Sequence, residues 1–200
     1  MRRTLFDASI LIFILYWISS SLLRIFGWRR EGRLPDIPKY IMIGAPHTSN
    51  WDFLLTLAYA FAFRVKVHWM GKETLFRRPF GSLMRWCGGI PIDRARSHNV
   101  VAQTIQLFNN LEKLVMIIAP EGTRKKVKHW KTGFYHIAVG AKVPILLGFI
   151  DYRRKAGGFG PLIVPTGDMP ADMNRIRAFY ETVTAKHPEL TGGAAIPLSS

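Results

Sequence analysis

From Asp7 to Arg24 the chain holds sixteen uncharged residues, Ala8 to Leu23, most of them large and apolar. Beyond them, short apolar runs alternate with longer stretches of helical periodicity. Tyr40 to Ala45 is an apolar run closed by Pro46, and Val65 to Met70, Gly89 to Ile92, Leu114 to Ala119, Pro144 to Ile150 and Leu162 to Val164 likewise predict strands. Ser49 to Phe63 reads as a helix whose start is marked by Ser49-x-x-Asp52. Ser97 suits the cap of a helix over His98 to Glu112, where Val101, Ile105, Phe108 and Leu111 form one face. Pro170 opens a last helix with Met173, Ile176, Phe179, Tyr180 and Val183 at helical spacing. Strands alternating with helices predict an α/β fold: a single domain over residues 35–190, with a largely parallel sheet flanked by helices. Residues 1–34 then form an N-terminal hydrophobic membrane-anchoring helix, and residues 191–200 a loose tail.

The apolar segment sets the first question of partner. Sixteen helical residues span roughly 24 Å, short of the ~30 Å hydrocarbon core of a bilayer. A secretory signal would share the Arg2-Arg3 start, but no Ala-x-Ala-like site follows and Asp7 interrupts the entry. Arg24, Arg29, Arg30 and Arg33 follow directly, where each is worth ~1 kcal/mol against anionic lipid. The expectation is a peripheral or monotopic cell-membrane protein with its folded domain on the cytoplasmic face; the alternative is an unusually apolar core helix. The single cysteine, Cys87, forms no internal disulfide and fits a reducing compartment.

Charge narrows the partner further. Twenty-eight Lys and Arg against thirteen Asp and Glu give a formal +15 in 200 residues, which points to a polyanion: nucleic acid, an anionic membrane surface or a phosphorylated substrate. The basic residues are spread rather than striped and no nucleic-acid motif is present, so nucleic acid is not expected as a partner.

Candidate chemistry begins at Pro46-His-Thr-Ser-Asn-Trp-Asp52. An imidazole takes a proton from an alcohol near neutral pH when a carboxylate fixes its tautomer. Five residues turn through roughly 500° on a helix, so His47 and Asp52 meet only if His47 lies in the turn before it. Asp52 as a helix cap and His47 as a surface turn residue is the competing reading. Glu121-Gly-Thr-Arg124 follows the strand Leu114 to Ala119 through Pro120, at the end of a strand where open α/β sheets place ligands. Gly122 lets backbone approach an anion, Thr123 offers a hydroxyl and Arg124 a bidentate grip on phosphate. The alternative is a solvated basic turn. Gly88-Gly-Ile-Pro-Ile-Asp-Arg94 and Lys142-Val-Pro-Ile-Leu146 are weak signals taken singly.

Taken in order, these four pieces resemble the four blocks of the glycerolipid acyltransferase family, the group of lysophosphatidic acid acyltransferases, over about residues 39–150. Lys72-Glu-Thr-Leu-Phe with Pro79-Phe-Gly is similar to the family's segment between its first two blocks. The sequence departs from the pattern at Pro46, where Asn commonly precedes the His, and at Ala119, where Phe commonly precedes Pro-Glu-Gly.

The resemblance implies that His47 is the general base and Asp52 its orienter, acting on an acceptor hydroxyl that attacks an acyl thioester without a covalent acyl-enzyme. It implies that Arg94, Glu121, Gly122, Thr123 and Arg124, with Lys72, serve the acceptor's phosphate. It implies no resident cofactor or metal, with acyl-CoA or acyl carrier protein as acyl donor and a lysophospholipid, foremost 1-acylglycerol-3-phosphate, as acceptor. Another lyso-lipid or polar-lipid alcohol is the alternative acceptor, and a basic membrane-binding protein without catalysis the alternative class.

Overall fold

The strand Lys39–Gly44 (β2) carries the logic of the architecture. Ile41 and Ile43 point to one face of the sheet and Tyr40 and Met42 to the other, all of them buried, as the centre of a sheet covered on both sides requires. The computed structural model describes residues 4–92 and 97–192, apart from the side chains of residues 97–99. Its seven strands are Arg29–Glu31 (β1), β2, His68–Lys72 (β3), Gly89–Ile92 (β4), Leu114–Ile118 (β5), Ile145–Asp151 (β6) and Ala156–Ile163 (β7), in the order β1-β7-β6-β2-β5-β3-β4. All neighbouring pairs are parallel except β6 and β7. Pro91 is accommodated because β4 lies at the sheet's edge, where an unpaired side needs no donor.

The helices Ser97–Asn110 (α4), Gly133–Ala141 (α5) and Met169–Tyr180 (α6) cover one face, burying Phe108, Phe134, Ile137, Met173 and Ile176 against Ile41, Ile43, Leu114 and Met116. Asp168 caps α6 by accepting the Ala171 N–H at 3.0 Å. The other face carries Ser9–Ile25 (α1), which packs on Trp51–Ala62 (α2). There Leu23 meets Tyr59 and Ala62, and Phe6 meets Phe61 at 5.4 Å. The short helix Gly81–Trp86 (α3) and the 3₁₀ turn Glu73–Phe76 lie on this side too: Phe76 stacks on Trp69 of β3, and Trp69 meets Phe53 of α2 edge-on.

The α/β class and the mostly parallel sheet agree with the sequence pattern. The N-terminal segment does not stand apart from the sheet, since Arg29–Glu31 pairs with Ala156–Gly158 of β7. Among the described residues no helix is long and apolar enough to cross a membrane. Residues 193–200 of the expected tail lie outside the described residues.

Candidate active site

At the C-terminal edge of the parallel strands, the turns after β2, β5 and β6 converge. His47 lies three residues past β2 and Asp52 is the second residue of α2, so the histidine precedes the helix and the carboxylate reaches back to it. His47 Nδ1 stands 3.2 Å from Asp52 Oδ2. In the tautomer that donates from Nδ1, the ring keeps a lone pair on Nε2 for a substrate proton. The side chain of His47 is 28% exposed and that of Asp52 6%, so the imidazole is reachable while the carboxylate is sheltered. The 3.2 Å separation is at the long end for such a bond, as is common before substrate tightens a catalytic pair.

Capping and orienting prove compatible. Asp52 Oδ2 also accepts the backbone N–H groups of Thr48 and Ser49, both at 2.8 Å, and Ser49 Oγ accepts the Trp51 N–H at 3.2 Å. The His187 N–H donates to Thr48 Oγ1 at 3.2 Å, tying the turn to the segment after α6. Burial alone would push the Asp52 carboxyl up, but the hydrogen bonds from His47, Tyr152 and the Ser49 backbone outweigh it and hold Asp52 below the usual carboxylate range. Asp52 is therefore an anion at neutral pH, as an orienter of a protonating imidazole must be.

Glu121 has a different place from the one expected of a phosphate ligand. Its side chain is buried, and Oε2 accepts the His47 N–H at 2.7 Å, joining the β5–α5 turn to the β2–α2 turn. Its Oε1 is buried without a hydrogen-bond partner, and burial, opposed in part by the His47 N–H, pushes the carboxyl up to about 7. Glu121 is thus turned to the His47 backbone and does not line the neighbouring cleft.

The residues after Glu121 do face open space. Thr123, Arg124 and Lys125 line a cleft of about 410 Å³ together with Thr48, Ser49, Asn50 and Leu190, directly beside the His47 turn. Gly122 takes a left-handed φ of +64°, and a Cβ there would lie 3.2 Å from Lys131 Cε, so glycine suits the tight turn. Lys72, the last residue of β3, is exposed at the same edge of the sheet but does not line this cleft. Arg94 lies outside the described residues.

Tyr152, just past β6, was not singled out by the sequence. Its hydroxyl donates to Asp52 Oδ1 at 2.7 Å. No local pattern announces it, because the contact arises only from β6 lying parallel beside β2.

A three-layer α/β fold here sets a histidine–carboxylate pair beside a basic cleft at the strand ends, the parts that a general-base site for an anionic substrate would need. The family model for acyltransferases matches residues 29–146, more than half of the chain, and the chain belongs to the acyltransferase family. It is 33% identical over 133 residues to the 1-acyl-sn-glycerol-3-phosphate acyltransferase of Haemophilus influenzae, covering 61% of this chain and 53% of that protein. It is 30% identical over 132 residues to the enzyme of the same name from Escherichia coli K12, covering 61% and 52%. The chain thus spans about half the length of these relatives. Its fold resembles that of the 1-acyl-sn-glycerophosphate (LPA) acyltransferase PlsC from Thermotoga maritima, with a TM-score of 0.59 at 18% identity over 88% of this chain and 81% of that one.

Proposed function

We propose that this chain is a lysophospholipid O-acyltransferase, moving a fatty acyl group from an acyl-CoA or acyl-carrier-protein thioester to a lysophospholipid hydroxyl, foremost that of 1-acylglycerol-3-phosphate. The observation that carries this reading is the His47–Asp52 pair set beside a cleft lined by Thr123, Arg124 and Lys125. His47 Nε2 takes the hydroxyl proton as the oxygen attacks the thioester carbonyl carbon. The C–S bond then breaks, the thiolate takes the proton from the imidazolium, and an ester and a free thiol leave. Asp52 steadies the transient imidazolium, and Arg124 with Lys125 balances the phosphate charge of the acceptor.

The substrates partition into bilayers, and α1 suits a helix lying in the membrane interface rather than crossing it. Ile10, Phe13, Ile14, Trp17, Ile18, Leu22 and Ile25 recur on its outward side, all exposed, and from Ser9 to Ile25 the only charge is Arg24. This apolar face supports a reading in which the protein rests on an anionic membrane surface.

Detergent-purified protein supplied with labelled acyl-CoA or acyl carrier protein and lysophosphatidic acid tests the reading. Phosphatidic acid is expected from wild type, and His47→Ala is expected to lower the rate about 10²- to 10⁴-fold at an unchanged melting temperature. Near wild-type transfer by His47→Ala would remove the base from the mechanism. Transfer confined to phosphate-free acceptors would remove the assigned role of Arg124.

A further inference from the structure

We propose that Tyr152 is a positioning residue of the His47–Asp52 pair, its hydroxyl fixing the rotation of the Asp52 carboxylate that presents Oδ2 to the imidazole. This rests on the acyltransfer reading above. The two oxygens of Asp52 are served unequally. Oδ2 is met by His47 Nδ1 and by the N–H groups of Thr48 and Ser49, all from within five residues in sequence. Oδ1 is met by the Tyr152 hydroxyl, at 2.7 Å and a hundred residues away. In a side chain only 6% exposed, an Oδ1 deprived of that donor would be left without water to replace it, and the carboxylate plane would lose its second anchor.

The phenol is itself held firmly. The Tyr152 N–H donates to Thr184 O at 2.9 Å, and its ring meets Trp28 edge-on at 5.2 Å, within the cluster of Leu23, Tyr59 and Ile150. A phenylalanine ring would fill this cluster as well, so packing alone leaves the hydroxyl unexplained. Burial, and then the Asp52 charge, raise the Tyr152 phenol above its ordinary value, so it remains a donor across the working pH range. Among the described residues the other ionisable side chain bonded to the pair is Glu121, which meets the His47 backbone from the far side; His187 approaches through its backbone N–H to Thr48.

Tyr152→Phe keeps the ring and removes one oxygen. Expected are a roughly tenfold fall in kcat with KM for both substrates unchanged, the size of one hydrogen bond to a charged group. With one donor fewer, Asp52 concentrates its charge on the imidazole, so the acidic limb of the kcat profile moves to higher pH. The ring-nitrogen NMR shifts of His47, which report its tautomer and its bond to Asp52, are expected to change in the same variant, a readout that needs no turnover. Glu121 is common to both proteins, so the difference between them reports on Asp52. An unchanged kcat with a superimposable pH profile and identical ring-nitrogen shifts overturns the proposal, as does a fall in melting temperature or a rise in KM with the limb unmoved. Failure of the acyltransfer reading looks different: wild type transfers nothing, while the His47 ring-nitrogen shifts still decide the role of Tyr152.

Discussion

On the side covered by α4, α5 and α6, Phe108, Phe134, Ile137, Met173 and Ile176 turn inward to the sheet, and Val139 is the one large apolar residue of those helices exposed among the described residues. On the side of α1, α2 and α3, fourteen of the seventeen exposed large apolar residues described are found, from Ile10 at 80% through Trp51 and Leu54 to Phe80 at 65% and Trp86. The sheet is the same for both layers, and β2 buries side chains equally on each face. The difference lies in what each helix layer shows outward: among the described residues one leaves a single large apolar side chain of its helices exposed, the other a broad set of them. The site occupies the seam, with Asp52 supplied from α2 and Glu121 from the turn leading toward α5, and the His47 N–H bond to Glu121 joins the two sides.

The sharpest way to break this comparison is to make the same truncation on each face. Phe134→Ala removes a ring that is 1% exposed and is expected to lower unfolding free energy by about 3–5 kcal/mol in chemical denaturation. Phe13→Ala, at 58% exposure, is expected to shift it by no more than about 0.5 kcal/mol while weakening flotation with vesicles roughly tenfold. Equal stability losses at both positions would make α1 an ordinary core helix.

Next in size is the seam. Folded, Glu121 holds its proton up to about 7, against 4.5 in an ordinary setting, so the folded chain binds more protons than the unfolded one between those values. Stability from this group is therefore greatest below about pH 4.5 and declines as pH rises to about 7, by up to about 3 kcal/mol. Glu121→Gln keeps an acceptor for the His47 N–H and is expected to flatten that decline in denaturation curves taken from pH 4.5 to 8. A slope identical to wild type would show that the carboxyl reaches water when it ionises.

How much of this was legible in the sequence follows from where each signal resides. β2, β5 and β6 are continuous apolar runs and could be read directly. β3 was read early, over Val65 to Met70, because Val65 and Val67 are buried against α2, whereas pairing begins only at His68 beside Met116. β7 was reduced to its last residues because glycine and proline interrupt it. Those glycines are accommodations, since a Cβ at Gly157 would lie 2.3 Å from the Tyr59 ring and one at Gly160 2.3 Å from the Phe179 ring. β1, an Arg-Arg-Glu triplet, carries no apolar pattern at all. α5 went unnamed because a glycine stands at its start and another near its end. Within the site, His47 and Asp52 were legible from five-residue spacing, and Thr123 and Arg124 from their turn. Tyr152 was not, because its partner is chosen by strand order. Glu121 was found as a residue, but its bond to the His47 backbone was not: sequence shows the basic run beside it, not its burial.

The smallest expected effect concerns the edge of the apolar face. Leu75, Phe80, Leu83 and Trp86 are exposed around Arg77 and Arg78, which are exposed as well, the mixture of rings and cations that seats at a lipid headgroup layer. Each arginine is worth about 1 kcal/mol near an anionic surface, so the double change Arg77→Ala with Arg78→Ala is expected to weaken binding to phosphatidylglycerol vesicles by up to about thirtyfold. The loss should shrink as salt shortens the screening length from ~10 Å at 0.1 M to ~3 Å at 1 M, and vanish on neutral vesicles. An equal loss on neutral vesicles would mean the arginines act through the packing of α3, where Arg85 already bonds the Phe76 and Gly81 carbonyls. No loss on either would leave the 73–86 segment clear of the bilayer, and the contrast between the two faces would then rest on α1 and the start of α2.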